Sequence, residues 1–302
     1  LGVGGYVANW TRSTNPCVFP EWQGLHGGFV RPENMSASQK LFPFFGASKF
    51  AVNNDILLPS PSAWNTSVQE VEISAADEHQ HNTIDWKDKA NKLWWRGPAT
   101  GGHNTKLNWQ RFHRHRFVSM LNSSHATTAE QSLHTTNGSS KGVAAADMHC
   151  DEPKDVVCPY HSAYFSRAPQ PHPDEQARYK FAAVLDGNGG DDGGKFLRLL
   201  KSAVLPIKAS VYRNWYDNHL WPWVHFVPVD MTFVDFVWPA QKTDHDDQAR
   251  QIATAGREWA NKVLRKEDML VYVYRLLLEY ARVVDDKRER LGWVWDLVGE
   301  GK

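Results

Sequence analysis

The chain has 302 residues and carries 34 basic side chains against 34 acidic ones. That length is enough for two domains with buried cores, and the balanced charge argues against bulk binding to nucleic acid or another polyanion. The most apolar late stretch, residues 269–284, carries Arg275 and Glu279 and is expected to be a buried helix, not a membrane span. With Leu1 first and no signal peptide, the sequence reads as an excised piece, and any targeting segment or membrane anchor would lie upstream.

Residues 1–64 are rich in Gly, Pro, Trp and Phe with brief apolar runs, so short strands and buried loops are expected there. Residues 65–88 are polar and suit a surface connection; His79 and His81 lack a third ligand at fixed spacing and make a poor metal site. Lys92-Leu93-Trp94-Trp95 is a compact strand ending at Arg96-Gly97-Pro98-Ala99-Thr100-Gly101-Gly102. A helix is expected over about residues 107–121, burying Trp109, Phe112, Phe117, Met120 and Leu121. Arg111, Arg114 and His115 would share another face, solvated or turned to phosphate. The run Arg111-Phe-His-Arg-His-Arg116 could suit RNA or zinc, but its charge is local and the chain is neutral.

Residues 122–140 read as an exposed polar loop and 141–148 as a small-residue strand. Cys150 and Cys158 bracket a short polar loop and are a disulfide candidate. Acceptor sequons at Asn9, Asn34, Asn65, Asn122 and Asn137 favour a secretory-pathway lumen, a cytosolic protein with free thiols being the alternative. Residues 168–175 form a proline-rich connection into a second strand, residues 179–185.

That strand stops at Asp186-Gly187-Asn188-Gly189-Gly190-Asp191-Asp192-Gly193-Gly194, and a helical pattern starts at once with Lys195 and Arg198 on its first turn. Glycines let a backbone approach a ligand closely, and free N–H groups at a helix start favour an anion. A phosphate or diphosphate suits this loop; a surface turn capped by small residues is the plain alternative. The spacing matches neither G-x-G-x-x-G nor G-x-x-x-x-G-K-[ST]. Further strands are expected at 203–207 and 224–227, on either side of an aromatic block in which Trp215, Tyr216, Trp221 and Trp223 pack a core more readily than they line a sugar platform. Two helices follow, with apolar stripes Ile252, Ala255, Trp259, Val263 and then Leu270, Val273, Leu277, Tyr280, Val284. Strands alternating with helices predict an α/β fold with a parallel sheet covered on both faces. Ligands of such sheets lie off the strand C-termini, where both glycine loops fall.

Several blocks appear in a telling order: Trp95-Arg-Gly97 with Thr100-Gly-Gly102, Tyr179-Lys-Phe181 with Asp186-Gly-Asn-Gly189, Lys195-Phe196 with Arg198-Leu-Leu200, Trp221-Pro-Trp-Val-His-Phe-Val-Pro228, and Glu267-Asp-Met269 with Tyr274-Arg-Leu-Leu-Leu-Glu-Tyr-Ala-Arg282. Asn15-Pro-Cys17, Leu25-His-Gly27 and Asn54-Asp-Ile-Leu-Leu-Pro59 extend the set toward the N-terminus. Together they resemble the capsule-associated-protein type of glycosyltransferase, family 90, in wording nearest its fungal members; that family also contains the protein O-glucosyltransferase Rumi.

The resemblance implies a GT-B architecture of two Rossmann-like domains. Residues 1–90 would be the remnant of an incomplete N-terminal, acceptor-side domain, 91–285 the donor domain and 286–302 a tail. It implies a UDP-sugar donor (glucose or xylose), a glycan or glycoprotein acceptor, and inversion at the anomeric carbon. It places the enzyme in the Golgi or endoplasmic reticulum lumen, as a type II membrane protein when full length. Donor contacts carried over by motif are Arg96, Gly97, Pro98 and Thr100 in the first loop, Gly187, Asn188, Gly189, Lys195 and Arg198 around the second, and Arg114 or Arg111 on the helix between. No tightly bound cofactor is expected. Asp191-Asp192 and Asp246-Asp247 read as solvated turns, so no metal ligand is assigned; metal dependence is left open, and protein cations can replace a metal in this role.

Three departures from the family pattern stand out. The catalytic base is an Asp expected upstream of Leu1, and Asp151-Glu-Pro153 imitates that segment in the wrong place. The second loop is about two residues longer than usual, with Lys195 where Arg is customary, which keeps the charge but loses the bidentate fork. Pro98 replaces a hydroxyl residue and has no N–H to donate. The competing reading is a catalytically inactive relative that binds a nucleotide sugar or glycan.

Overall fold

The computed structural model describes residues 7–31, 43–65, 84–121, 161–165, 173–190, 194–233 and 245–285. The N-terminal part holds two short helices, α1 (Trp10–Ser13) and α2 (Gly27–Val30), and three short strands, β1 (Phe45–Gly46), β2 (Ser48–Phe50) and β3 (Ile56–Leu57). Then come β4 (Ala90–Gly97), α3 (His113–Leu121), β5 (His161–Phe165), α4 (Pro173–Ala177), β6 (Tyr179–Leu185) and α5 (Gly194–Lys201). The chain continues through β7 (Leu205–Ala209), β8 (Tyr212–Asn214), β9 (Val227–Pro228), α6 (Asp246–Val263) and α7 (Lys266–Val284).

Five of these strands form one sheet in the order β5-β4-β6-β7-β9, and every pairing in it is parallel. Side chains alternate across a strand, so each strand supplies both faces. Leu93 and Trp95 of β4, Phe181, Ala183 and Leu185 of β6, and Leu205 and Ile207 of β7 join the layer filled by Phe117, Val118 and Leu121 of α3. Trp94, Ala182 and Val184 face the other layer, filled by Phe196, Leu197, Leu199 and Leu200 of α5. Trp215 and Tyr216 lie in that second core, whereas Trp221 is exposed. The expected α/β sheet, covered on both faces, is therefore present.

Details differ from the sequence expectation. The strand expected at 203–207 runs two residues later, and the one expected at 224–227 shrinks to β9 because residues 221–226 form a turn with Trp223 at φ 66°. The helix expected over 107–121 begins as a 3-10 turn, Trp109–Arg111, and becomes α-helical only at His113. Phe112, Phe117 and Leu121 are buried as expected, but Met120 is exposed and His113 and His115 are buried instead. Residues 173–175, expected at the end of a connection, open the short helix α4.

The two long helices pack on faces other than those their large residues suggest. In α6 the buried stripe is Ala249, Ala253, Gly256 and Ala260, while Ile252, Ala255, Trp259 and Val263 are half-buried beside it. Small residues win because the backbone comes so near: a Cβ on Gly256 would lie 2.4 Å from the His225 carbonyl oxygen. In α7 only Met269 is fully buried. Tyr272 donates to the Leu57 carbonyl at 2.8 Å and Tyr280 packs edge-on to Phe45, so the helix lies across β1 and β3. Leu270, Leu277 and Val284, expected in the core, are exposed, as are Val271, Tyr274 and Leu278. Leu, Val and Tyr surround this helix, and periodicity alone does not say which side finds a partner. No helix among the described residues is long and apolar enough to cross a membrane.

Candidate functional site: two glycine loops at the sheet switch point

After β4 the chain places β5 on one side, returns across β4 to β6, and continues outward to β7 and β9. The direction of winding reverses between β4 and β6, and ligands of open α/β sheets bind off the strand ends at such a point. The first glycine loop leaves β4 there and the second leaves β6.

The loops touch. Asn188 Oδ1 accepts hydrogen bonds from the backbone N–H groups of Gly101 at 2.8 Å and Gly102 at 3.1 Å. Arg114, from α3, binds both: Nε donates to the Asp186 carbonyl at 2.7 Å, and Nη1 to the Pro98 carbonyl at 2.9 Å and to Thr100 Oγ1 at 2.7 Å. Its Nη2 reaches the Leu185 carbonyl at 3.2 Å. Lys195, on the first turn of α5, donates from Nζ to the Arg96 carbonyl at 3.3 Å. Its ammonium also lies 5.7 Å from the ring centroids of both Trp94 and Trp95. Two cations thus sit beneath one pair of loops, held by carbonyl oxygens and aromatic faces.

Glycine is required where the loops are tightest. Gly101 and Gly102 have φ of +108° and +131°, a region that L side chains rarely adopt, and a Cβ on Gly101 would fall 2.4 Å from the His113 ring. In the second loop, Gly187 N–H donates to the Gly190 carbonyl at 2.8 Å, and Gly190 has φ +85°. A Cβ on Gly189 would meet nothing within 4 Å, so the tip of this loop is open.

Under the loops lies a buried polar cluster. The Asp186 carboxylate accepts from His26 Nε2 at 3.1 Å, Ser210 Oγ at 2.5 Å and Val211 N–H at 2.9 Å. His26 Nδ1 accepts from Gly28 N–H at 3.0 Å, which leaves its proton on Nε2, facing Asp186. The His113 ring stacks on His26 with centroids 3.9 Å apart, and its Nε2 meets the Asp186 carbonyl at 2.7 Å. Burial, then the neighbouring His26, Arg114 and Arg116, hold the His113 pKa well below its ordinary value, so this ring is neutral. His115 is lowered to about 4 by burial and by Arg114. Burial, with Asp186 nearby, raises the Tyr212 pKa. Burial brings Arg116 down to about 10; its Nη2 donates to the carbonyls of Leu25 at 2.8 Å and Met231 at 2.6 Å.

The structure therefore gathers Gly97, Pro98, Thr100, Arg114, Gly187, Asn188, Gly189 and Lys195 around one point. It turns Arg96 aside: strand alternation puts this side chain on the Trp94 face, where Nη2 pairs with Glu175 at 3.2 Å. Arg111 is exposed and reaches the Gly24 carbonyl at 3.4 Å, not the loops. Arg198 lies half-buried one turn further along α5. The expected solvated or phosphate-facing Arg/His surface on α3 is also corrected, because His115 is buried and Arg114 is spent on protein oxygens. The first loop's glycine N–H groups are likewise engaged by Asn188. Reading the sequence gave no role to the Asp186 carboxylate, His26, His113 or Ser210, although Leu25-His-Gly27, Asp186-Gly-Asn-Gly189 and the run Arg111-Phe-His-Arg-His-Arg116 contain the first three.

Cys150, Cys158, Asp191, Asp192, His79 and His81 lie outside the described residues, as do the sequons at Asn34, Asn122 and Asn137. Asn9 and Asn65 are exposed. Among the described residues, no group of three or more His, Cys, Asp or Glu side chains is placed to hold a metal ion.

The family model "Glycosyl transferase family 90" matches residues 29–291. Protein O-glucosyltransferase 2 of Danio rerio is 24% identical over 255 residues, covering 83% of this chain and 45% of the relative. The O-glucosyltransferase rumi homolog of Anopheles gambiae is 24% identical over 264 residues, covering 84% of this chain and 59% of its own length. That of Aedes aegypti is 30% identical over 119 residues, 37% of this chain and 28% of the relative. The chain spans about half the length of the first two. With the family model covering most of its residues, the chain belongs to glycosyl transferase family 90.

Proposed function

We propose that this chain carries the donor side of an inverting glycosyltransferase that moves glucose or xylose from a UDP-sugar to a hydroxyl of a glycoprotein or glycan. The observation that carries the reading is the meeting of two glycine loops and two cations at the β4/β6 switch point. Family membership and the names of the relatives support sugar transfer to protein. Residues 91–285 form the donor domain in this reading, residues 1–90 the end of an acceptor-side domain in a GT-B arrangement, and 286–302 a tail. The sequons and the relatives support a lumenal setting in the endoplasmic reticulum or Golgi.

The chemistry divides between the two sides. The acceptor oxygen attacks the anomeric carbon from the face opposite the diphosphate, and its proton passes to a carboxylate. The bond from that carbon to the diphosphate oxygen breaks, and its electron pair leaves with UDP. Lys195, and Arg114 from below the loop, oppose the charge growing on the departing phosphate. Asp186 is not the base: it is buried and its carboxylate accepts three hydrogen bonds. The base in this reading is a carboxylate other than Asp186.

Calorimetric titration of the chain with UDP tests the donor site. Binding is expected, weakened about tenfold in Lys195→Ala, as for loss of one hydrogen bond to a charged group. Absence of binding at millimolar UDP would overturn the assignment. Incubating the full-length protein with UDP-glucose, UDP-xylose and UDP-galactose then separates an enzyme, which releases nucleotide and transfers sugar, from a relative that only binds.

A further inference from the structure

The segment 25–31, which precedes the donor domain in the chain, touches both glycine loops. His26 donates to Asp186 at the base of the second loop. At the first loop, His103 N–H donates to the Arg31 carbonyl at 2.8 Å, and Gly27 packs so tightly that an added Cβ would lie 1.8 Å from the Gly101 carbonyl oxygen. Arg116 holds the same segment by the Leu25 carbonyl. The His26 ring is fully buried, stacked on His113, and bonded through both nitrogens.

From this geometry we infer that His26 and Asp186 are positioning residues for the donor site: their buried bond clamps segment 25–31 across both loops and sets the distance between them. This rests on the donor-site reading above. The physical basis is that a buried carboxylate tolerates little displacement from its donors, since any bond lost leaves desolvated charge uncompensated. The turn that begins at Asp186 therefore cannot drift while His26, Ser210 and Val211 hold it. The first loop is tied to the same body through Gly27 and Arg31. Asn188 then bridges two loops already fixed in register. The donor site is thereby completed by a segment from outside the donor domain, and movement of that segment changes donor affinity.

The test compares the chain with His26→Ala, His26→Gln and Asp186→Asn. UDP affinity is read by calorimetry, and amide hydrogen exchange is read at Gly101, Gly102, Gly187 and Gly190. Glutamine keeps a donor toward Asp186 but loses the stacked ring. In His26→Ala, UDP affinity is expected to fall about tenfold and exchange at all four glycines to quicken by a similar factor, with His26→Gln recovering part of both. A double-mutant cycle between His26→Gln and Asp186→Asn is expected to be non-additive. A folded His26→Ala chain with unchanged affinity and unchanged exchange would overturn the proposal, as would a variant that melts earlier while binding UDP normally. Should His26→Ala fail to fold, the glutamine variant and the cycle decide. Should the parent chain not bind UDP, the donor-site reading fails, and the exchange data alone judge the clamp: four unperturbed glycines in the glutamine variant would refute it.

Discussion

The first glycine loop is committed to the protein: Gly101 and Gly102 are buried, have positive φ and give their N–H groups to Asn188. The second is anchored at its base through Asp186 and tied at its tip by Asn188 and by Ser48, whose hydroxyl donates to the Gly189 carbonyl, yet Asn188 and Gly189 remain exposed. Glycine serves steric ends in one and access in the other. Similar composition thus conceals a division between a buried buttress and a turn with an exposed tip.

Substitutions that add one methyl group to each loop separate the two roles most strongly. Gly101→Ala combines strained φ with a clash against His113 and is expected to destabilise by about 3 kcal/mol, read from the urea midpoint. Asn188→Ala removes two bonds between the loops and is expected to cost about 1–2 kcal/mol while leaving the fold intact. Gly189→Ala has free space and is expected to change stability by less than about 0.5 kcal/mol. Equal losses in Gly101→Ala and Gly189→Ala would abolish the distinction.

Acid probes the layer beneath both loops. His113 and His115 are buried and neutral in the fold, with His115 at about 4 and His113 well below the ordinary 6.5. Below about pH 6.5 the unfolded chain binds protons at these rings that the folded chain does not. The stability that their neutrality confers is complete above about 6.5 and lost as pH falls toward about 4. Thermal melts between pH 7.5 and 4.5 are expected to show a falling Tm. A flat Tm over this range would mean that the rings are charged or open to water.

Much of the site was legible. Apolar runs broken by glycine marked both strand-to-loop crossings, and Lys195 at the following helix start fell where a cation was expected. The alternating faces of β4 and β6 followed from period two once their strands were placed. Arg96 was assigned to the loop from its position beside it, whereas the pleat sends its side chain toward Trp94 and Glu175. His26 was missed because its partner stands 160 residues away. In α6 the large residues drew attention from the alanines and Gly256, whose smallness allows the helix to sit close.

Backbone sterics and local periodicity act over a few residues, so the chain wrote its strands, its glycine turns and the cation after the second turn directly into adjacent positions. Which buried carboxylate would meet which imidazole, which side of α7 would find a partner, and whether an amide would face a ligand or Asn188 depended on segments brought together from far apart. Those choices follow from burial and hydrogen-bond satisfaction across the whole fold. No short window of sequence contains both partners, so only the assembled molecule decides them.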